Sequence, residues 1–314
     1  MTLSVARRIL ATASLGLVLM PAIGQDAPAT EAAESNSGND SSRSRLTFSL
    51  DARGEFGFEA DIDDSQGSVS TTRIGSDLGL RYRATDRIGL GLKFGAEYSF
   101  YDFDDFETVA GLGDPFSDGS MYALTPTISF SPNDLWTFIG GALLRWSAEE
   151  GADLGDGFTG GGLFAVNRRV NDRLTLGFGF IVGTRLEDDT IFIPALSIDW
   201  KINDRWSLSN EEKPGLAIRY KAMENLTLAA EAWYTTRDFR LDDDNPIPSG
   251  AMEDTRVPAS ISARWRAMDN LMLIGRVGAY VYHEFEFRNA AGDEVTDADV
   301  DPSLFIGLEG RLTF

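Results

Sequence analysis

Residues Pro302 to Phe314 read PSLFIGLEGRLTF. Leu304, Ile306, Leu308, Leu312 and Phe314 fall on one face, with Gly310 among them, and Phe305, Gly307, Glu309, Arg311 and Thr313 on the other. Successive side chains of a strand point to opposite faces. One face of this segment is therefore apolar and the other, Phe305 excepted, is largely polar. A chain that ends on the aromatic of such a strand reads as a sheet whose apolar side faces lipid, its last strand closing a barrel.

Leu46 to Ile62 repeats the pattern at greater length. Leu46, Phe48, Leu50, Phe56, Phe58, Ala60 and Ile62 share a face, against Asp51, Arg53, Glu55, Glu59 and Asp61 on the other. A soluble sandwich would turn that charged face to water, so alternation alone leaves both architectures open. The turns narrow the choice. Ala84-Thr85-Asp86-Arg87, Ser131-Pro132-Asn133-Asp134, Val170-Asn171-Asp172-Arg173, Ile202-Asn203-Asp204-Arg205, Ala222-Met223-Glu224-Asn225 and Ala267-Met268-Asp269-Asn270 resemble one another, and each precedes a new alternating run. Asn and Asp tolerate tight-turn backbone, so each reads as a hairpin. The connections between them are mostly long and acidic, and two of them, 102–120 and 238–254, read as loops that either fold inward as a constriction or project outward. Short turns at one end and long loops at the other is the asymmetry of membrane barrels.

The expected fold is all-β: a transmembrane antiparallel up-and-down barrel of fourteen strands within residues 45–314, with twelve as the alternative. The doubt falls on 206–210 and 215–220, shorter than the ~9–11 residues a spanning strand needs. Either they form a low stretch of wall, or 203–225 is one periplasmic excursion. In the first case the hairpin around Pro214 lowers the rim and offers a lateral exit for an apolar solute. Pro126, Pro194 and Pro258 fall inside strands and mark expected bulges.

Two aromatic belts test the lipid reading. Outward positions beside the short turns include Tyr82, Phe130, Trp136, Trp200, Trp206, Tyr220, Trp265 and Phe314. Those beside the long loops include Phe58, Tyr98, Phe100, Tyr122, Trp146, Phe158, Phe192, Tyr234 and Phe285. Trp233 alone among the six Trp points the other way. Trp136 and Trp146 are ten residues apart, about 33 Å at ~3.3 Å per residue. A strand tilt of roughly 40° projects this to about 25 Å, the height of an outer-membrane apolar band.

The opposite face carries charge and glycine. Candidate pore-lining residues are Arg53, Arg73, Asp77, Arg81, Lys93, Glu97, Arg145, Arg185, Glu231, Arg264, Arg276, Glu309 and Arg311. Arg53, Arg73, Arg81, Arg264, Arg276 and Arg311 come from strands that become neighbours on closure. They form either a basic ladder favouring anionic solutes or, with the interleaved acids, a salt-bridge network that partly fills the lumen.

The ends and the composition set the compartment. Arg7 and Arg8, the apolar run Ile9 to Met20 and the small-x-small Ala22-Ile23-Gly24 read as a secretory signal over 1–24. Residues 25–44 are small, polar and patternless, and read as a disordered periplasmic lead. No cysteine is available for a lipid anchor or a disulfide. The net charge of −21, gathered in the loops, excludes nucleic acid as a partner. The acidic loops are candidate seats for divalent cations bridging to anionic lipid. Asp242-Asp243-Asp244 lacks the spacing and glycine of a calcium loop. One histidine, His283, at an outward position, leaves no Ser–His machinery and no His- or Cys-based metal site, so neither an enzyme nor a cofactor is expected.

Signal, hairpin repeats, belts and the ending Leu308, Gly310, Leu312, Phe314 together resemble Gram-negative outer-membrane β-barrels over residues 45–314. The size is similar to that of monomeric porin-like channels. The resemblance implies export through the periplasm, insertion by the barrel-assembly machinery through the C-terminal strand, contact with outer-membrane lipid, and a monomer. Three functions stay open: a passive pore for small polar or anionic solutes, a charge-filled structural or surface-interaction barrel with acidic extracellular loops, and a lateral-exit transporter of apolar solutes.

Overall fold

The computed structural model describes residues 18–19, 45–63, 67–105, 115–210 and 214–314. The expected signal peptide, apart from Val18–Leu19, and the expected disordered lead lie outside the described residues. The strands are β1 (Val18–Leu19), β2 (Leu46–Asp61), β3 (Ser68–Arg83), β4 (Ile88–Asp104), β5 (Asp118–Asn133), β6 (Trp136–Glu149), β7 (Phe158–Asn171), β8 (Leu174–Arg185) and β9 (Asp188–Lys201). They continue as β10 (Trp206–Ser209), β11 (Gly215–Met223), β12 (Leu226–Trp233), β13 (Thr235–Arg240), β14 (Ala251–Met268), β15 (Leu271–Arg288), β16 (Glu294–Asp299) and β17 (Ser303–Thr313). Among the described residues there is no helix.

From β2 onward neighbours pair antiparallel, and β17 returns to β2 through Leu312↔Leu50 and Ile306↔Phe56 to close the barrel. β12 and β13 are two lengths of one wall strand along β14, and β16 and β17 are two lengths of one along β15. The wall thus has fourteen strands. The last strand is confirmed as the closing one, because its alternation lets its apolar residues continue the outer face of β2.

The outside is apolar along the barrel. Phe48, Ile74, Leu78, Phe178, Ile261, Val277 and Leu308 are all exposed. The belt beside the short turns faces out, with Tyr82, Phe130, Trp136, Trp200, Trp206, Trp265 and Phe314 exposed. Tyr220 and Trp146 are half-buried, each packed on a neighbouring ring, Trp206 at 4.9 Å and Phe158 at 5.2 Å.

Two bulges reverse the faces that simple alternation assigns. On β15, Val257↔Tyr282 is followed by Pro258↔Tyr280, so Val281 is an extra residue that bulges outward. Beyond it the inward set shifts from even to odd positions. His283 and Phe285 therefore point inward and are buried, not outward as expected, and Phe287 joins them. On β2 the pairing shifts between Gly57 and Ala60, which turns Ala60 and Ile62 inward as well. One extra residue in one strand reverses every side chain after it. Of the three prolines, Pro258 adjoins a bulge, whereas Pro126 and Pro194 pair in unbroken register with Leu92 and Phe180.

The expected loop 238–254 is shorter than its acidity implied. β13 runs to Arg240 and β14 begins at Ala251, and this hairpin folds across the long-loop mouth. Arg240 pairs with Ala148 on β6, a strand on the far side of the ring. Beneath the hairpin lies a buried cluster that includes Tyr101, Phe103, Phe116, Phe239, Phe285 and Phe287. Rings meet edge-on, Tyr101 to Phe116 at 5.1 Å and Phe103 to Phe285 at 5.2 Å. The long-loop half of the barrel is filled with apolar side chains.

Candidate functional site

Below the aromatic plug the lumen is polar on the wall formed by β2–β4 and β14–β17. Arg53 bonds Asp77 at 2.6 Å and Glu97 at 3.2 Å. Arg237, on the folded-in hairpin, bonds the other oxygen of Glu97 at 2.5 Å, and Lys93 approaches Asp77 at 3.3 Å. Nearer the short turns, Arg276 bonds Glu309 at 2.9 Å, Arg264 bonds Glu231 at 3.1 Å, and Arg311 bonds both Asp51 and Glu309. Of the expected lumen residues, Arg145 is half-buried and Arg81 is exposed near the short-turn rim. Arg185 sits at the long-loop rim, paired with Asp188 and Glu253.

At the junction with the plug, Asp254 is fully buried. It receives Arg73 at 2.5 Å, Arg256 at 2.7 Å and the Tyr101 hydroxyl at 2.7 Å, with His283 Nε2 at 3.2 Å. Tyr280 donates to Glu55 at 2.7 Å and stacks on Phe305 at 4.8 Å. Phe305, the one apolar residue on the inner face of the last strand, is thus a floor for this centre, and Trp233 meets its edge at 6.2 Å. A buried carboxylate needs such partners, since an unpaired one carries a large desolvation cost. Alternation in the sequence marked Arg73 as inward; Asp254 was hidden by the reading of 238–254 as loop, and Arg237 and Arg256, at the ends of the expected strands on either side of it, were not singled out.

The hairpin is also clasped at the mouth. Asn245 donates to Pro115 O at 2.7 Å and to Glu149, which also accepts the Asp242 N–H at 2.7 Å. Burial holds the Glu149 carboxyl above its ordinary range, although these hydrogen bonds oppose the shift.

The remaining wall is different. Ile139, Leu163, Ala165 and Ala195 form a second apolar cluster on the inner face of β6, β7 and β9. This surface ends at a gap. β10 pairs with β9 only at Asp199, Trp200 and Lys201. At the corner, buried Asn210 takes the Ile198 N–H on its side-chain oxygen at 2.5 Å, gives its own N–H to Ile198 O at 3.0 Å, and donates to Gly215 O at 2.6 Å. Both peptide groups of Ile198 therefore face β10. By the strand's alternation those of Leu196, Pro194 and Phe192 face the same way.

No described wall strand meets them there; only Val18–Leu19 lies along that edge, parallel, opposite Ala195 and Leu196. Pro194 has no N–H to leave unpaired, which suits an open edge. Above, Arg288 reaches across to Asp188 at 3.1 Å and Glu253 at 3.5 Å, so the gap is framed as a window. The sequence signalled it through the shortness of 206–210 and 215–220, as a low stretch of wall.

Among solved structures, the chain is similar to an outer membrane channel from Pseudomonas putida F1, with 12% identity, TM-score 0.48, and coverage of 90% of this chain and 100% of that one. A Pseudomonas aeruginosa FadL homologue gives 15% identity, TM-score 0.46 and coverage of 86% and 89%. The KdgM porin in complex with disordered oligogalacturonate gives 10% identity, TM-score 0.34 and coverage of 85% and 99%. No curated protein matches the chain. Residues 139–304, from β6 through the window and the folded-in hairpin to the start of β17, match the family model described as Domain of unknown function (DUF6268). That match spans more than half of the 314 residues, and the chain belongs to the DUF6268 family.

Proposed function

We propose that the protein is an outer-membrane barrel that passes small apolar solutes sideways, between its lumen and the bilayer, through the window beside β9. The edge of β9 above Asn210, met by no wall strand among the described residues, is the observation that carries this reading. Backbone groups facing hydrocarbon need partners, so barrels normally leave no open edge. An edge left open at one place, beside an inner wall of Ile139, Leu163, Ala165 and Ala195, suits the passage of an apolar molecule. The exposed outer surface and its aromatic belt support the membrane setting.

The pore for polar or anionic solutes is less well supported. The mouth is filled by the aromatic cluster, and Arg53, Arg73, Arg264, Arg276 and Arg311 of the expected ladder are engaged by carboxylates. Such a barrel gives little ionic current. The test is single-channel recording in planar bilayers with protein purified from membranes. Small or absent conductance, together with faster uptake of an apolar probe by cells carrying the protein, is the expected result. A large, steady, ion-selective conductance would instead establish the axial pore.

A further inference from the structure

Where the charged wall turns towards the plug, a small cavity of about 30 Å³ lies between β2, β3, β4, β13, β15 and β17. A buried water needs about 10–15 Å³ by this kind of measure, so the cavity holds one small guest. Its charged lining residues are four arginines, Arg53, Arg73, Arg237 and Arg276, against two glutamates, Glu55 and Glu97. The other acids that balance these arginines, Asp77, Asp254 and Glu309, lie outside the lining. Both carboxylates in it are already used. Glu97 is shared by Arg53 and Arg237, and Glu55 accepts from Arg73 and from the Tyr280 hydroxyl.

Two donors remain. The Nε atoms of Arg73 and Arg276 are buried and make no hydrogen bond to the protein, and the nearest acid to the second, Glu231, is 3.9 Å away. Both side chains are at least nine-tenths buried. Two bare backbone positions let Arg53 and Arg276 lie close against the wall. A Cβ on Gly75 would lie 3.0 Å from the Arg53 guanidinium carbon, and one on Gly307 would lie 2.9 Å from Arg276 Cγ.

We infer that this cavity binds a single small monovalent anion of halide size. Arginine offers donors and no acceptor. The lining holds more donors than acceptors, and the two unpartnered ones, Arg73 Nε and Arg276 Nε, call for a guest that accepts and carries negative charge. The anion screens four like charges gathered around one cavity and joins the β13 arginine to those of the permanent wall. The site stands independently of the solute route, because it requires no movement of solute through the window.

Bromide is the probe. Crystals of the purified barrel grown in sodium bromide should show an anomalous peak within hydrogen-bond distance of Arg73 Nε and Arg276 Nε. At constant ionic strength, the unfolding midpoint should rise saturably with bromide but not with gluconate. Arg276→Lys keeps the positive charge and removes Nε, and should lower the apparent bromide affinity at least tenfold. Arg81→Ala, away from the cavity, should leave it unchanged. Density for water alone, with no anomalous peak in the wild-type crystal, overturns the proposal. So does a midpoint that responds equally to bromide and gluconate.

Discussion

Arg73 on β3 and Asp254 on β14 meet at 2.5 Å, although three wall strands separate them around the barrel. Their side chains are 3% and 0% exposed, so the pair crosses a filled lumen rather than a channel of water. It ties the folded-in hairpin to β3 across the lumen.

Removing one partner of a buried ion pair typically costs about 3–5 kcal/mol, because the other charge is left stranded. Asp254→Asn should lower the unfolding free energy in lipid vesicles by about that much, since Arg73 and Arg256 both depend on it. Asp77→Asn should cost less, because its partners Arg53 and Lys93 retain partial exposure. Equal effects would show that Asp254 is not the clasp described here.

The inward turn made by the Val281 bulge can be tested directly. Phe285 is fully buried, so Phe285→Ala should cost about 3–5 kcal/mol. Phe192, at 62% exposure on the outer surface, should lose far less on the same change. Urea titration of refolded protein checks both. A small loss at Phe285 would return it to the outer belt that plain alternation predicts.

The bilayer setting predicts a depth profile. Ile261→Arg, mid-height on the outer face, should destabilise the folded barrel in vesicles by about 2–4 kcal/mol. Val170→Arg, at the short-turn end of β7 and also exposed, should be near neutral. Equal costs at the two sites would contradict a lipid-facing outer surface.

These contrasts mark what the sequence made legible. Period-two alternation placed the strands and the outward aromatics, because the outer face of a closed wall has one requirement throughout. It also flagged Trp233 and Phe305 as inward apolar residues, and both stand beneath the plug. What it missed were changes of phase. Val281, and the extra residue between Gly57 and Ala60, leave no signature in composition, yet they move His283, Phe285, Phe287, Ala60 and Ile62 inside. The acidic stretch 238–254 looked like solvated loop because Asp238 and Asp254 read as surface charge. The available clue was the apolar surplus above the upper belt. Phe103, Phe116, Phe239, Leu241, Ile247 and Met252 lie beyond the height where lipid accepts them, so they must pack against one another.

The window is the central claim, and closing it is the most direct test. The free edge of β9 invites pairing, so lengthening β10 and β11 by about four alternating residues each, a length that spans ~13 Å of strand, should complete the wall above Asn210. The measurement is the rate at which cells carrying wild-type or lengthened barrel take up a small apolar solute, at matched levels of folded protein. Loss of the wild-type advantage in the lengthened barrel is the predicted result. Uptake that is undiminished with the edge of β9 fully paired would contradict lateral passage.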